Sequence, residues 1–465
     1  MQIQFIFLFL ARFLTLVVCL WGIGCTLNDA PHASTPVEAP TAWVSERQIN
    51  SSEPTPWLTD FNDAALEALV KEALSNNYNL EISAARVLQA SAESRITGAD
   101  RLPSIGAGLD GTRQRTETAL GSNYSNNYQL GLNLSWELDL WGRLGNKQKA
   151  STATALASIA DYEAARLSLA VQVSKAWFNL KEATGQTEQA QKTVRAYRKN
   201  LNTLEARFQS GLSNSLELRQ IRTELATSEA ALKARQRLQA QASRTLELLL
   251  GRYPKAQLKS EGTLPNLQNP IPAGLPSQLL ERRPDLQAAE LRIRAAEYSV
   301  RASRKEFLPR LSLTGSAGTT SDAFENLLDQ NYSVANLVGN LTQPLFQGGR
   351  IRAGLDRTKS QLAQAEANYH NIALQAFLEV ENTLTSGYYL RREAAKTLLA
   401  NTEASAAEEL AWERYRNGTL DFINVLTSQR SAANARSRYL TIQNQLLQNR
   451  LDCLLALGGP FNPTS

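Results

Sequence analysis

Residues 128–140 read YQLGLNLSWELDL. Tyr128, Leu130, Leu132, Leu134, Trp136, Leu138 and Leu140 fall on one parity, and Gln129, Gly131, Asn133, Ser135, Glu137 and Asp139 on the other. Side chains of a strand alternate between its two faces, so this run predicts a strand with one apolar and one polar face. Three further stretches carry the same pattern. Ile105, Ala107 and Leu109 alternate with Ser104, Gly106 and Gly108. Leu311, Leu313, Gly315 and Ala317 alternate with Arg310, Ser312, Thr314 and Ser316. Ala335, Leu337, Gly339 and Leu341 make a fourth apolar set, blurred by Val334 and Val338. Strands are therefore expected near 104–113, 128–140, 310–318 and 332–343, joined in pairs by the polar loops TETALGSNYSNN and TTSDAFENLLDQN. Each has about the ten residues that a tilted strand needs to cross a bilayer.

A small soluble sheet covered by helices is the alternative, and one such strand alone would favour it. Four strands behind an export signal favour a membrane barrel. Four cannot close a cylinder, and lipid does not tolerate open strand edges. Several chains would have to complete the barrel; three would supply twelve strands.

The rest of the chain looks helical and is duplicated. ARFQSGLSNSLEL at 206–218 matches ERYRNGTLDFINV at 413–425, pairing Arg207 with Arg414, Phe208 with Tyr415, Gly211 with Gly418 and Leu218 with Val425. The same offset of 207 joins Gly142-Arg143 to Gly349-Arg350 and Gly251 to Gly458, and 206 joins Leu102-Pro103 to Leu308-Pro309. A unit this long is a tandem duplication rather than a solenoid repeat. We place the first repeat at 61–265 and the second at 266–459, with a tail at 460–465. Each unit is expected to run helix (63–101 or 276–307), two strands, a very long helix (145–209 or 352–414), a glycine turn and a returning helix (216–250 or 422–457). In the first long helix, Leu169, Val173, Ala176, Leu180, Ala183, Thr187, Ala190, Val194, Tyr197, Leu201, Leu204 and Phe208 follow at spacings of four and three. That is a heptad seam, and it needs partner helices along its length.

Composition narrows the function. The chain has 465 residues, is 43% hydrophobic and 20% charged, and carries a net charge of +5. Basic and acidic residues are interspersed along helices, without the dense basic blocks of a nucleic-acid binder. The cysteines are Cys19, Cys25 and Cys453, and the histidines His32 and His370, too few for a disulfide framework or a zinc site. No phosphate-cradling glycine loop or GxSxG nucleophile turn occurs, so neither catalysis nor a cofactor is expected.

Residues 1–24 hold one basic residue, Arg12, and an apolar core suited to a signal peptide and too short for a comfortable membrane span. Gly24 before Cys25 resembles a lipoprotein signal, which would make Cys25 the acylated first residue of the mature chain. Gly22 stands where such signals usually carry Leu, and an ordinary signal cleaved nearby is the alternative. Thr26, where Asp would suggest inner-membrane retention, resembles the outer-membrane type. Residues 25–60 then form a lipid-anchored tether and an equatorial segment, rich in Pro, Ser and Thr.

GLPSQLLERRPDLQAAELRIRAAEYSVRASRKEFLPRLSLTG at 274–315, LSWELDLWGRL at 134–144 and the paired turns at 207–218 and 414–425 resemble the TolC-like outer-membrane efflux proteins. The resemblance extends over nearly all of 57–459 and is nearest the lipoprotein branch typified by OprM. It implies an α+β membrane protein: a homotrimer with a 12-stranded outer-membrane β-barrel continued by a long periplasmic α-helical barrel. Leu130, Leu132, Leu134 and Trp136 would then face lipid. The implied function is a passive exit duct, docked through a periplasmic adaptor onto an inner-membrane pump of the RND type that exports small molecules. A duct for type I protein secretion is the runner-up within the family, and a trimeric coiled-coil stalk or adhesin the rival outside it. The resemblance further implies that the turns at Gly211, Leu212, Ser213 and at Gly418, Thr419, Leu420 dock the adaptor. It makes Glu217, Tyr415, Asp421 and Asn424 the periplasmic gate, with a Glu217–Tyr415 link. Leu420 replaces an expected arginine of that latch, for which Arg416 is a possible substitute, and Asn424 replaces a common aspartate.

Overall fold

The computed structural model describes residues 58–119, 121–266 and 276–459. The expected signal peptide, Cys25, nearly all of the tether and the tail 460–465 lie outside them. In chain order the first half contains α1 (Ala64–Asn76), α2 (Tyr78–Ala99), β1 (Ser104–Thr118), β2 (Gly121–Leu138), α3 (Arg143–Gln209) and α4 (Ser215–Leu249). The second contains α5 (Pro276–Arg282), α6 (Pro284–Arg304), β3 (Arg310–Ser321), β4 (Ser333–Thr342), α7 (Arg350–Arg416) and α8 (Phe422–Ala456). The halves repeat element for element. Helices α3 and α7 each have 67 residues, and α4 and α8 each have 35. The paired glycines 142/349, 211/418 and 251/458 all adopt positive φ.

Two expected helices are each broken in two, at equivalent places. Asn77 leaves the helical region, and its side chain caps α2 by accepting from the Asn79 and Leu80 amides. Arg283 is extended because Pro284, at the first position of α6, crowds the residue before it. Both breaks serve the same contact. Asn77 Nδ2 donates to Leu249 O at 2.8 Å, and Arg283 Nη1 donates to Ala456 O at 3.0 Å, so each ties down the end of the returning helix. Hydrophobic periodicity runs on across a one-residue break, so the pattern alone did not reveal it.

At 67 residues α3 is about 100 Å long. Its first third lies against α2 and α6, through Ser94–Thr152, Arg101–Gln148 and Arg292–Asp161. Beyond Leu167 it packs on α1, α4 and α8, where Phe61, Val70, Val173, Phe178, Leu246 and Leu451 share one core. The heptad seam is buried at Leu169, Val173, Ala176, Leu180, Thr187, Val194, Tyr197 and Leu204, and only its last member, Phe208, is exposed.

The strands form one antiparallel meander in the order β1-β2-β3-β4. Register places Ile105, Leu134, Gly315 and Leu337 in one row, and Ala107, Leu132, Ala317 and Ala335 in the next. Directly opposed residues share a face, so the four apolar sets merge into one surface. Among the described residues, helices make no extensive contact with this sheet, contrary to the soluble-sheet alternative. The first hairpin is longer than expected. Pairing continues to Thr118↔Gly121, so most of 116–127 is strand rather than loop. Both faces are polar there, which removed the alternation, while cross-strand backbone bonds still formed.

Candidate functional site

Two regions carry the features of a site: the sheet and the far end of the helical hairpins. On the sheet, Leu132 is 54% exposed, Leu337 68% and Leu341 68%. Leu130, Leu134 and Trp136 share the face of Leu132 but are half-buried by their neighbours. From Leu138 to Tyr128 the strand would rise about 25 Å at the roughly 40° tilt usual for outer-membrane barrels, the height of their apolar band. Aromatic rings mark both ends. Tyr128 packs edge-on to Phe324 at 5.7 Å at one. At the other, Trp136 Nε1 donates to Arg101 O at 2.9 Å and Trp141 Nε1 to Pro309 O at 2.7 Å. Aromatic girdles of this kind mark membrane interfaces. No helix among the described residues is long and apolar enough to cross a membrane.

The strand-to-helix junction uses residues to which the sequence reading gave no role. Asp139 accepts from the Leu144 and Gly145 amides at 2.9 and 2.6 Å, capping α3, and Arg143 Nη2 lies 2.7 Å from Glu137 Oε1. The second junction lacks both carboxylates; there Arg350 Nη2 donates to Gln347 Oε1 at 2.6 Å. Two acids just before a helix start were the available signal.

At the opposite end, α3 and α7 terminate in the same motif. Leu212 N donates to Arg207 O at 2.8 Å and Gly211 N to Phe208 O at 3.0 Å. Thr419 N and Gly418 N bond Arg414 O and Tyr415 O in the same way, each at 3.0 Å. This geometry needs a left-handed residue, and Gly211 (φ 71°) and Gly418 (φ 72°) supply it. Nothing lies within 4 Å of where a Cβ would stand on either glycine, so both turns face open space. Leu212 is exposed, Ser213 half-buried, Thr419 exposed, and Leu420 turns inward against a tip core.

That core unites both hairpins through Tyr197, Leu204, Ile221, Tyr415, Phe422 and Val425. Tyr415 is only 6% exposed, stacked among Trp412, Phe422 and the Arg207 guanidinium, which lies 5.0 Å over its ring. Its hydroxyl is buried without a hydrogen-bond partner among the described residues. Burial, reinforced by the Glu217 charge and opposed by Arg207, pushes the phenol above its ordinary range, so it stays a donor. Glu217 instead accepts from Ser213 Oγ at 2.6 Å, and its amide donates to the cap residue Asn214 at 3.0 Å. Within this chain the expected Glu217–Tyr415 pair is thus an electrostatic neighbourhood and not a hydrogen bond. Asp421 and Asn424 are exposed at the start of α8. Cys25 lies outside the described residues.

The chain is 34% identical over 456 residues to the outer membrane protein OprJ of Pseudomonas aeruginosa, covering 95% of each chain. It is 28% identical over 455 residues to the probable outer membrane lipoprotein SilC of Salmonella typhimurium, covering 94% of this chain and 96% of that one. The structure resembles the Campylobacter jejuni CmeC outer membrane channel with a TM-score of 0.85 at 28% identity, over 91% of this chain and 92% of that one. The family model described as outer membrane efflux protein matches twice, at 69–252 and 275–459, once in each half of the duplication. A duplicated strand pair on a duplicated helical hairpin, matched along both copies, shows that the chain belongs to the outer membrane efflux protein family.

Proposed function

We propose that three copies close their sheets into a 12-stranded barrel and their hairpins into a tunnel, forming the passive exit duct of a tripartite efflux system. The observation that carries this reading is the open sheet: one continuous apolar face and, among the described residues, no helix covering it and no strand pairing the edges β1 and β4. Such a sheet is stable in lipid only when neighbouring chains satisfy its edges. The duplication then gives six near-equivalent hairpins around the tunnel. The tips at Gly211–Ser213 and Gly418–Leu420 dock a periplasmic adaptor that joins the duct to an inner-membrane RND-type pump. The exposed Leu212, Leu216 and Ile423 provide apolar contact there. Energy and substrate choice come from the pump, and the duct itself makes or breaks no bond.

The mouth is held by the tip core. Tyr415, kept protonated and lacking an acceptor, is poised to donate to Glu217 once that carboxylate leaves Ser213. Purified protein in planar bilayers is expected to conduct as a trimer, and Glu217→Arg to raise single-channel conductance by loosening the mouth. A protein that inserts but never conducts, in wild-type or variant form, refutes the duct. Gly24-Cys25 supports a covalent lipid on Cys25, as the name of SilC does for that relative. Mass spectrometry of the mature N-terminus is expected to find diacylglyceryl-Cys25, and an unmodified N-terminus elsewhere refutes it.

A further inference from the structure

The first hairpin outruns the sheet. β2 pairs with β3 only as far as Tyr128↔Ser321, whereas β1 and β2 stay paired to Thr118↔Gly121. Beyond the apolar band the chain is therefore a two-stranded ribbon, and its two faces differ. Continuing the parity of Leu109 and Leu130, one face carries Arg113, Arg115 and Glu117, opposed by Asn126, Tyr124 and Ser122. The other carries Thr112, Gln114 and Thr116, opposed by Asn127, Ser125 and Asn123, with no charge. The basic residues lie on the side that continues the lipid face, not on the side that continues the lumen.

Depth follows from the register. Arg113 lies two residues past the Gly111–Tyr128 pair that ends the apolar band, hence about 5 Å above it, and Arg115 about 10 Å above it. Arg113 therefore lies in the layer of lipid head groups, and Arg115, one step farther out, reaches back towards it. Both guanidinium groups flank the Tyr124 ring, at 5.4 and 5.8 Å, which holds them on this face. Arg113 pairs with no carboxylate among the described residues. Arg115 donates to Ser122 Oγ at 2.9 Å and pairs with Glu117 at 3.0 Å, leaving part of its fork free. Glu117 stands one step farther out along the strand and holds part of Arg115 by this ion pair.

We propose that Arg113 and Arg115, braced on Tyr124, form a clamp for the phosphate-bearing head group of an outer-leaflet lipid, one clamp per protomer. Guanidinium groups match phosphate oxygens in planar, charge-assisted pairs, and an aromatic ring at the interface fixes their height. The proposal rests on the reading of the sheet's apolar face as lipid-facing.

The test uses the full-length trimer in detergent and native mass spectrometry, with bisphosphorylated lipid A and its dephosphorylated form as probes. Wild-type protein is expected to retain the bisphosphorylated form preferentially, and less of it as salt rises. Each arginine near a charged head-group layer is worth about fivefold, so Arg113→Gln with Arg115→Gln is expected to lower retention about 25-fold. Arg113→Lys should recover part of the loss. Glu117→Gln, which frees Arg115, should raise retention, a direction that misfolding does not produce. Unchanged retention in the double variant, or equal retention of the dephosphorylated probe, overturns the clamp. A photo-crosslinking residue at position 132 separates the two failures. If it captures acyl chains while the double variant still binds normally, only the clamp is wrong. If it captures none, the lipid-facing assignment fails and the clamp with it.

Discussion

Leu132→Arg is the sharpest test of the membrane assignment. Leu132 lies four residues from Tyr128 and four from Trp136, midway between the two aromatic ends. It pairs with Ala107 and Ala317, so its side chain stands above small neighbours on the apolar face. At the bilayer midplane an outward-facing arginine costs about 2–4 kcal/mol in a barrel. The proposed trimer carries three copies, so its barrel would lose about 6–12 kcal/mol, comparable to the whole stability of a typical domain. Asn133 is at the same depth with the opposite parity, so in the proposed barrel Asn133→Arg projects into the lumen. It is expected to cost less than about 1 kcal/mol per protomer. The assay is folding into lipid vesicles, read as the fraction of heat-modifiable trimer across a urea series. The Leu132 variant should lose most of its trimer while the Asn133 variant keeps it. Equal tolerance at the two positions would refute the assignment of faces, because a one-residue shift is all that separates lipid from lumen.

Gly211→Trp with Gly418→Trp should abolish drug resistance in a deletion strain while leaving the trimer intact. The left-handed φ costs about 1–2 kcal/mol at each site, and nothing lies within 4 Å of the new Cβ, so the proposed docking is what the substitution should disrupt. Full resistance would show that these turns do not dock the adaptor. Glu247 is buried, which raises its carboxyl pKa, but the amides of Ala256, Gln257, Leu258 and Lys255 outweigh burial and hold it below the ordinary glutamate range. A depressed carboxyl stabilises fully above its unfolded value and loses that contribution as pH falls through the folded one. Hydrogen-exchange protection of Ala256–Leu258 should therefore persist from neutral pH down to the ordinary glutamate range and vanish in stronger acid. Glu247→Gln should open the segment already at neutral pH, and unchanged protection there would refute the anchor.

Much of this molecule was legible in local pattern. The bounds of α3, α4, α7 and α8 fall within two residues of those read from glycines and heptads, because long helices are specified by repeating side-chain contacts along one stripe. The apolar parity was equally plain in three strands and blurred in the fourth by Val334 and Val338. Pattern failed where backbone or side-chain chemistry acted across the chain. The breaks at Asn77 and Arg283 exist to cap carbonyls more than 170 residues away, at Leu249 and Ala456. The long polar hairpin is held by ladder bonds that leave no trace in hydropathy. At the tip, the family resemblance implied a link between Glu217 and Tyr415; in this chain Glu217 accepts from Ser213, and packing of the two hairpins buries Tyr415 under Arg207. Periodicity along a strand or helix is local, so the sequence by itself determined which face of each element is apolar. Which residues meet across the duplication is set by how two 67-residue rods lie against each other, and only the tertiary structure decided it.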